Sequence, residues 1–280
     1  MPNKAQAVSI VIPVFNEENY IGKCLDLIAG QSVMPDEVVI VDNNCSDKTI
    51  EIAQQYPFVR VIKEKKQGVL FARNSGFNAA KYEIVGRIDT DTHLSANWVE
   101  TILDAFADKD VAAVTGPVWY YDMPFQKGGF WLDKKIRGGI ARNAEEFPFL
   151  FGTNMAIRKS AWMAIRDDTH EKREMYEDID LAIHLYQHKL HIYYLEGLTA
   201  GMAARRFDDT LSNFYRYIKL YKVTYAMHSM KAKSANLAMA VYLVFFVLCQ
   251  PMRWVYDPVT NKRSIKNLFK RAAPRKNPMD

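Results

Sequence analysis

Val8-Ser9-Ile10-Val11-Ile12-Pro13-Val14 is a mostly β-branched run that ends abruptly on Phe15-Asn16-Glu17-Glu18. Pro13 breaks the run and acids follow it, which is the wrong length and flank for a signal peptide. It reads as a buried strand ending in a polar turn. The pattern recurs at Glu37-Val38-Val39-Ile40-Val41, which delivers Asp42-Asn43-Asn44, and at residues 82–88, which deliver Asp89-Thr90-Asp91. Shorter apolar runs at 59–62 and 111–115 read as further strands. Helical spacing fills the intervals at 20–29 (Ile21, Leu25, Ile28), 69–80 and 97–107. Ser46 or Asp47 suits the N-cap of another helix reaching residue 55. Continuous apolar strands separated by amphipathic helices predict an α/β fold, a mostly parallel doubly wound sheet with helices on both faces.

Ligands of such sheets sit beyond the carboxyl ends of the strands. Here those ends deliver Asn16-Glu17-Glu18, Asp42-Asn43-Asn44 and Asp89-Thr90-Asp91 to one rim. Asp and Asn are common turn residues, which explains any one of these clusters but explains their convergence less well. The chain lacks both a G-x-G-x-x-G after the first strand and a G-x-x-x-x-G-K-[ST], so neither phosphate cradle is present. A nucleotide would bind only with its phosphates neutralised by a metal. The carboxylates of Asp89 and Asp91 are hard oxygen donors suited to Mn²⁺ or Mg²⁺.

The formal charge of the 280 residues is +5, and it is unevenly spread. Residues 261–280 hold seven bases (Lys262, Arg263, Lys266, Lys270, Arg271, Arg275, Lys276) against Asp280, a net +6. Residues 1–260 therefore carry 5 minus 6, or −1. A near-neutral body argues against a nucleic-acid partner. Cys24, Cys45 and Cys249 have no metal-type spacing and fit a reduced, cytosolic setting.

Six elements occur in a fixed order: Ile12-Pro13-Val14-Phe15-Asn16-Glu17-Glu18; Val41-Asp42-Asn43-Asn44-Cys45-Ser46-Asp47; Gly68 with Ala72-Arg73-Asn74-Ser75-Gly76; Asp89-Thr90-Asp91; Gly152-Thr153-Asn154; and Glu177-Asp178. In that set and order, over residues 7–206, the chain resembles the family-2 inverting glycosyltransferases of GT-A fold. The resemblance implies a nucleotide-diphosphate sugar donor, a glycan or polyprenyl-linked acceptor, and Mn²⁺ or Mg²⁺. It implies that Pro13, Phe15, Asn16 and Glu17 line the nucleotide pocket with Asp42 and Asn44, Asp42 accepting from the base. Arg73 would face the base or diphosphate. Asp89 would contact the ribose or the metal shell, and Asp91 would ligate the metal. Gly152 and Asn154 would lie by the donor sugar or acceptor. Asp178 would be the general base, with Glu177 orienting it or the acceptor.

An inverting transfer needs those residue types: one carboxylate to take the acceptor's proton and a cation to stabilise the diphosphate. Glu177-Asp178 also has a plainer reading, as acids favouring the dipole of the helix that follows. Processive members of the family carry a later Gln-x-x-Arg-Trp; this chain has Ala203-Ala204-Arg205-Arg206-Phe207, which argues against processive polymerisation. Arg205 and Arg206 are either a diphosphate clamp or a solvated surface pair. His184 and His188 stand at i, i+4, but the sequence places no third ligand beside them, so they read as a solvated helix face. His93 reads as a polar loop residue. Trp119, Tyr120, Tyr121 and Trp131 flank an irregular stretch at 122–129, where Gly128-Gly129 and the later Gly138-Gly139 permit a mobile acceptor loop.

Residues 211–230 are aromatic and basic, and 234–252 carry no charge. The strongly apolar part, 237–249, is short for a span and suits an interfacial helix. A spanning helix would also put the +6 tail outside, against the positive-inside tendency. The expectation is peripheral attachment at the cytoplasmic face, with Trp254 and Tyr256 at the interface and the tail on an anionic surface. The chain then divides into a catalytic domain over 1–207, C-terminal helices over 208–256 and a basic flexible tail over 257–280. Two other functions compete. A sugar-nucleotide pyrophosphorylase would want a basic Gly-rich loop where Asn16-Glu17-Glu18 stands. A catalytically inactive, membrane-bound nucleotide-sugar-binding module would bind without turnover.

Overall fold

A computed structural model describes residues 6–123, 126–142, 149–230, 233–257 and 262–263. The first half alternates as the apolar runs dictate. Strands β1 (Val8–Val14), β2 (Glu37–Asp42), β3 (Val59–Lys63) and β4 (Ile84–Arg87) are separated by α1 (Ile21–Ala29), α2 (Thr49–Ala53) and α3 (Val69–Ala79). Strand β5 (Thr92–Leu94), α4 (Trp98–Ala105), β6 (Val111–Thr115), β7 (Val118–Tyr120) and α5 (Gln126–Arg142) follow. Then come β8 (Met155–Arg158), α6 (Lys159–Ile165), α7 (Glu177–Gln187), β9 (His191–Tyr194) and β10 (Ala200–Met202). A 3-10 turn, Arg205–Asp208, leads into α8 (Leu211–Met227) and α9 (Lys233–Val255).

The main sheet has the order β3-β2-β1-β4-β8-β6-β9. Only β8 breaks the parallel run, pairing antiparallel with both β4 and β6. A second sheet, β5-β10-β7, closes one end. Along β1, Ile10 and Ile12 face a core shared with Leu25, Ile28, Trp98 and Phe106. Val11 faces the other way, onto Val39, Val41, Phe77, Trp162 and Leu181. This is why the strands are apolar throughout rather than alternating. Each fully buried Ile, Leu or Phe contributes about 1.5–3 kcal/mol. Gly76 allows α3 to lie against β1, since a Cβ there would meet Val11 Cγ1 at 2.2 Å.

The irregular acceptor loop expected at 122–129 is not what forms. The helix α5 begins at Gln126 and runs through both Gly pairs. Tertiary contacts override the poor helix propensity of glycine: Phe130 packs edge-on against Trp119, and Asp133 Oδ2 accepts from Val118 N at 3.0 Å.

The helices α8 and α9 form a hairpin on the catalytic half. Phe214 and Phe246 stack with ring centroids 4.3 Å apart, beside Phe207 of the 3-10 turn. Arg253 of α9 reaches across to Asp122 Oδ2 at 3.0 Å and also pairs with Asp208. The opposite side of α9 leaves Val244, Val247 and Leu248 about three-fifths exposed, at 60%, 60% and 62%. Among the described residues, no helix is long and apolar enough to cross a membrane. The side chains of Trp254 and Tyr256, and the tail beyond residue 263, lie outside the described residues.

Candidate active site

The register puts the ends of β1, β2 and β4 on one rim, with Val14 opposite Asp42 and Val11 opposite Arg87. Two asparagines take left-handed backbone there, Asn16 at φ 54° and Asn44 at φ 69°. Asn tolerates that region better than most residues. Asn16 Oδ1 accepts from Ser46 N at 2.8 Å, which ties the first loop to the second. Asp42 Oδ1 accepts from Cys45 N at 2.8 Å. Asn43 donates to the carbonyls of Glu64 and Lys66 and accepts from Gly68 N at 2.7 Å. Asn44 donates to Lys65 O and Gln67 Oε1, each at 3.0 Å. These bonds tie the loop after β2 to the loop after β1 on one side and to the stretch after β3 on the other. Pro13 and Phe15 are half-buried.

Arg205 organises the acidic part of the rim. Its Nε donates to Asp91 Oδ2 at 2.7 Å, and its Nη1 and Nη2 donate to the two oxygens of Glu17 at 2.8 and 3.2 Å. The Tyr20 ring lies 4.3 Å beneath the guanidinium. Burial pushes the Asp91 carboxyl above its ordinary range; Arg205 opposes that, and Asp89 and Glu17 add to it. Asp89 is more open, 37% exposed against 9% for the Asp91 side chain. Carboxylates of Asp89 and Asp91 at one strand end are a donor set that fits a hard divalent cation. The fit is electrostatic as well, because Glu17, Asp89 and Asp91 outnumber the two guanidiniums, Arg205 and Arg87, that pair with them.

Asp178 lies in the first turn of α7, partly exposed. Its Oδ2 accepts from Gly152 N at 3.1 Å and its Oδ1 from Ile179 N at 2.9 Å. Burial, then the charge of Glu177, raises its carboxyl to about 6. It is therefore a stronger base than an ordinary carboxylate, yet charged at neutral pH. The next residue in the same turn, Thr153, donates from Oγ1 to Asp89 Oδ2 at 2.6 Å. Beneath both sits Arg87, 4% exposed, with Nη2 2.9 Å from Asp89 Oδ1 and 3.2 Å from Glu177 Oε1. Gly152 is required by that arrangement: a Cβ there would stand 1.3 Å from Arg87 Nη1.

Not every expected residue reaches the rim. Arg73 is 1% exposed; its Nη1 donates to the Glu177 carbonyl at 2.6 Å and its other nitrogens to Asn74 Oδ1. It braces the base of α7 and does not face a base or diphosphate, because α3 turns position 73 toward α7 and Trp162. Asn154 is 0% exposed and is no acceptor contact. Its amide donates to Leu198 O at 2.7 Å and Pro117 O at 3.2 Å, and its Oδ1 accepts from Trp98 Nε1 at 2.7 Å. It stitches β8 to the second sheet. Arg206 stacks on Tyr217 of α8 at 4.1 Å, so the two arginines part company and only Arg205 meets the acids.

The solvated-face reading holds for His188, which is exposed, and is corrected for His184. His188 pairs with Asp168 at 2.7 Å, but His184 is 6% exposed and turns inward. His93 stacks on Tyr121 at 3.7 Å instead of sitting in a loop.

Arg87 and Thr153 escaped the sequence reading. Arg87 looked like one polar residue in a strand, and Thr153 stood between two residues that drew the attention. Asp122 and Arg253 were missed as well, though a lone base ending an apolar helix was the available signal.

Residues 9–166, more than half of the chain, match the family model for glycosyl transferase family 2. The glycosyltransferase GlyG of Streptococcus pneumoniae is 30% identical over 42% of this chain and 41% of its own length. The hyaluronan synthase of Pasteurella multocida is 34% identical over 40% of this chain and 12% of its own. The chain thus covers under half the length of these two relatives. A mannosyltransferase from Pyrobaculum calidifontis, solved in complex with GDP-Man and Mn²⁺, aligns over 90% of this chain and 74% of its own, with TM-score 0.61 and 20% identity. That likeness carries the fold, a GT-A type sheet. Matched by the family model over more than half its length, the chain belongs to glycosyl transferase family 2.

Proposed function

We propose that the chain is a metal-dependent inverting glycosyltransferase, moving a sugar from a nucleotide diphosphate to a glycan or lipid-linked acceptor. One observation carries this reading. Consecutive residues of a single turn hold the two halves of the chemistry, Gly152 N on Asp178 and Thr153 Oγ1 on Asp89. A proton acceptor and a phosphate-side carboxylate are thereby set at fixed separation, as a one-step displacement requires.

In that displacement the acceptor oxygen attacks the anomeric carbon and its proton passes to the Asp178 carboxylate. The bond from the anomeric carbon to the diphosphate oxygen breaks, and its electron pair leaves with the diphosphate. Asp91 and Asp89 would hold the Mn²⁺ or Mg²⁺, whose Lewis acidity stabilises the leaving oxygens. Arg205, a planar fork already at the rim, would exchange its present acceptors, Glu17 and Asp91, for diphosphate oxygens. Asp42, Asn44, Asn16 and Glu17 would frame the base and ribose. A GDP-sugar is the first donor to try, given the GDP-Man complex of the Pyrobaculum relative.

A thermal-unfolding panel of UDP- and GDP-sugars with Mn²⁺ tests this. A true donor at 100 times its Kd should stabilise by about 2.7 kcal/mol. Asp91→Asn should remove the Mn²⁺-dependent part. Stabilisation without Mn²⁺, undiminished in Asp91→Asn, would sink the metal role. Tight donor binding with no turnover on any acceptor would favour the inactive-module reading instead.

We further propose that catalysis resides in 1–207 and that α9 and the basic tail hold the protein on an anionic cytoplasmic membrane face. The exposed Val244, Val247 and Leu248 support this, together with the +6 of residues 261–280. Co-sedimentation with phosphatidylserine vesicles should fall when residues 264–280 are deleted, most clearly at low salt. It should fall at all salt concentrations in Val244→Asp/Leu248→Asp. Unchanged sedimentation in both variants would refute membrane attachment.

A further inference from the structure

Two residues past Asp178 the same helix carries a second constellation that the transfer chemistry does not use. Asp180 is fully buried, and its Oδ1 meets imidazoles from three parts of the chain. His170 Nδ1, from the segment between α6 and α7, lies at 2.7 Å. His228 Nε2, just past α8, lies at 2.8 Å. His184 Nε2, one turn along α7, lies at 3.5 Å. The four ligating atoms all fall within 4.8 Å of one another.

Hydrogen bonding alone leaves this cluster incomplete. A carboxylate oxygen offers two lone pairs, and His170 and His228 take both. His184 Nε2 is buried and makes no hydrogen bond, which is costly for a polar atom. A cation at the centre would use the lone pairs of all three nitrogens and of the carboxylate at once. Bonds of about 2.0–2.1 Å in a tetrahedron put ligand atoms roughly 3.3 Å apart; the carboxylate-to-nitrogen distances of 2.7, 2.8 and 3.5 Å fall on both sides of that value, and with all four atoms within 4.8 Å of one another small side-chain shifts would seat an ion. The rings of His170 and His228 stand at 88° and those of His184 and His228 at 68°. The rings of His170 and His184 are tilted by 39°, so no two of the three lie stacked face to face. Asp180 is also oriented as a monodentate ligand, because its other oxygen, Oδ2, accepts from His170 N at 3.1 Å. Such outer contacts typically fix metal ligands. The side chain of His170 is 31% exposed and leaves a way in.

We infer that His170, Asp180, His184 and His228 form a zinc site. Three imidazoles and one carboxylate satisfy a tetrahedral Zn²⁺ with no position left for substrate, so the ion is structural. It staples α7, which carries Asp178, to the end of α8 and to the segment before α7. The site shares no residue with Asp89 and Asp91, and its occupancy can be read without any activity.

The test uses the untagged full chain, stripped with EDTA, then given Zn²⁺ against a chromophoric chelator. One zinc per chain should survive desalting. Co²⁺ in its place should give visible d–d bands of tetrahedral intensity. His170→Ala, at the exposed edge and least able to disturb folding, should weaken zinc by at least about 100-fold, the upper end for losing a mere outer-shell partner. His228→Ala should do the same, and Asp91→Asn should leave the zinc in place. Wild-type chain that emerges metal-free and shows no Co²⁺ bands would overturn the site. So would zinc that persists in both histidine variants or disappears with Asp91→Asn.

Discussion

Asp178→Asn is expected to lower kcat by about 10²–10⁴-fold, the usual worth of a general base, with the fold intact. The substitution is close to isosteric. Both oxygens of Asp178 accept backbone N–H groups, from Gly152 and Ile179, and an amide can satisfy only one of them. The lost hydrogen bond costs about 0.5–1.5 kcal/mol, too little to unfold the domain. Donor-induced stabilisation should survive, because the nucleotide side of the rim is untouched. Initial rates and a melting curve on the same sample separate the outcomes. Near-normal turnover would mean that the acceptor's proton goes elsewhere. Loss of both turnover and donor binding would point to a collapsed rim and not a missing base.

Gly152→Ala is expected to be almost as damaging, for a steric reason. The added Cβ would stand 1.3 Å from Arg87 Nη1. Arg87 is buried and held by Asp89 and Glu177, so it cannot swing away without breaking both pairs. Overpacking of this kind costs typically 1–3 kcal/mol. Displacing Arg87 also uncouples Asp89 from Glu177, so the loss of rate should exceed what the stability change predicts. A double-variant cycle checks the cause. Adding Arg87→Met to Gly152→Ala should relieve the clash, and the two stability losses should be strongly non-additive. Strict additivity in denaturant titrations would show that the collision is absent.

The strands and the rim were legible because their signals are local. Apolar runs with no alternation declare burial on both faces. An acid directly after such a run declares a strand end on the ligand side. Helix α5 was misread as a loop for the opposite reason. Its glycines are poor helix formers, and what stabilises it, Phe130 on Trp119 and Asp133 under Val118, comes from residues distant in the chain or paired across it. Arg73 and Asn154 stand in motifs that name them, yet a motif does not say which way a side chain points. A one-residue rotation on α3 decides between rim and interior, and Arg73 lies inside.

Order and residue type along the chain were enough to declare the α/β class, the acidic rim with Asp89 and Asp91, and the pairing of Glu177 with Asp178. Each depends on contacts between near neighbours or on periodicity, which a linear string records. The joining of Asp89 to Asp178 through residues 152 and 153, the seating of Arg205 between Glu17 and Asp91, and the gathering of His170, Asp180, His184 and His228 depend on where distant segments pack. Such contacts form only when burial of the apolar faces brings those segments together. His184 shows the difference: the string offers it Asp180 one turn back and His188 one turn on, but only the folded chain adds His228 and turns the ring inward.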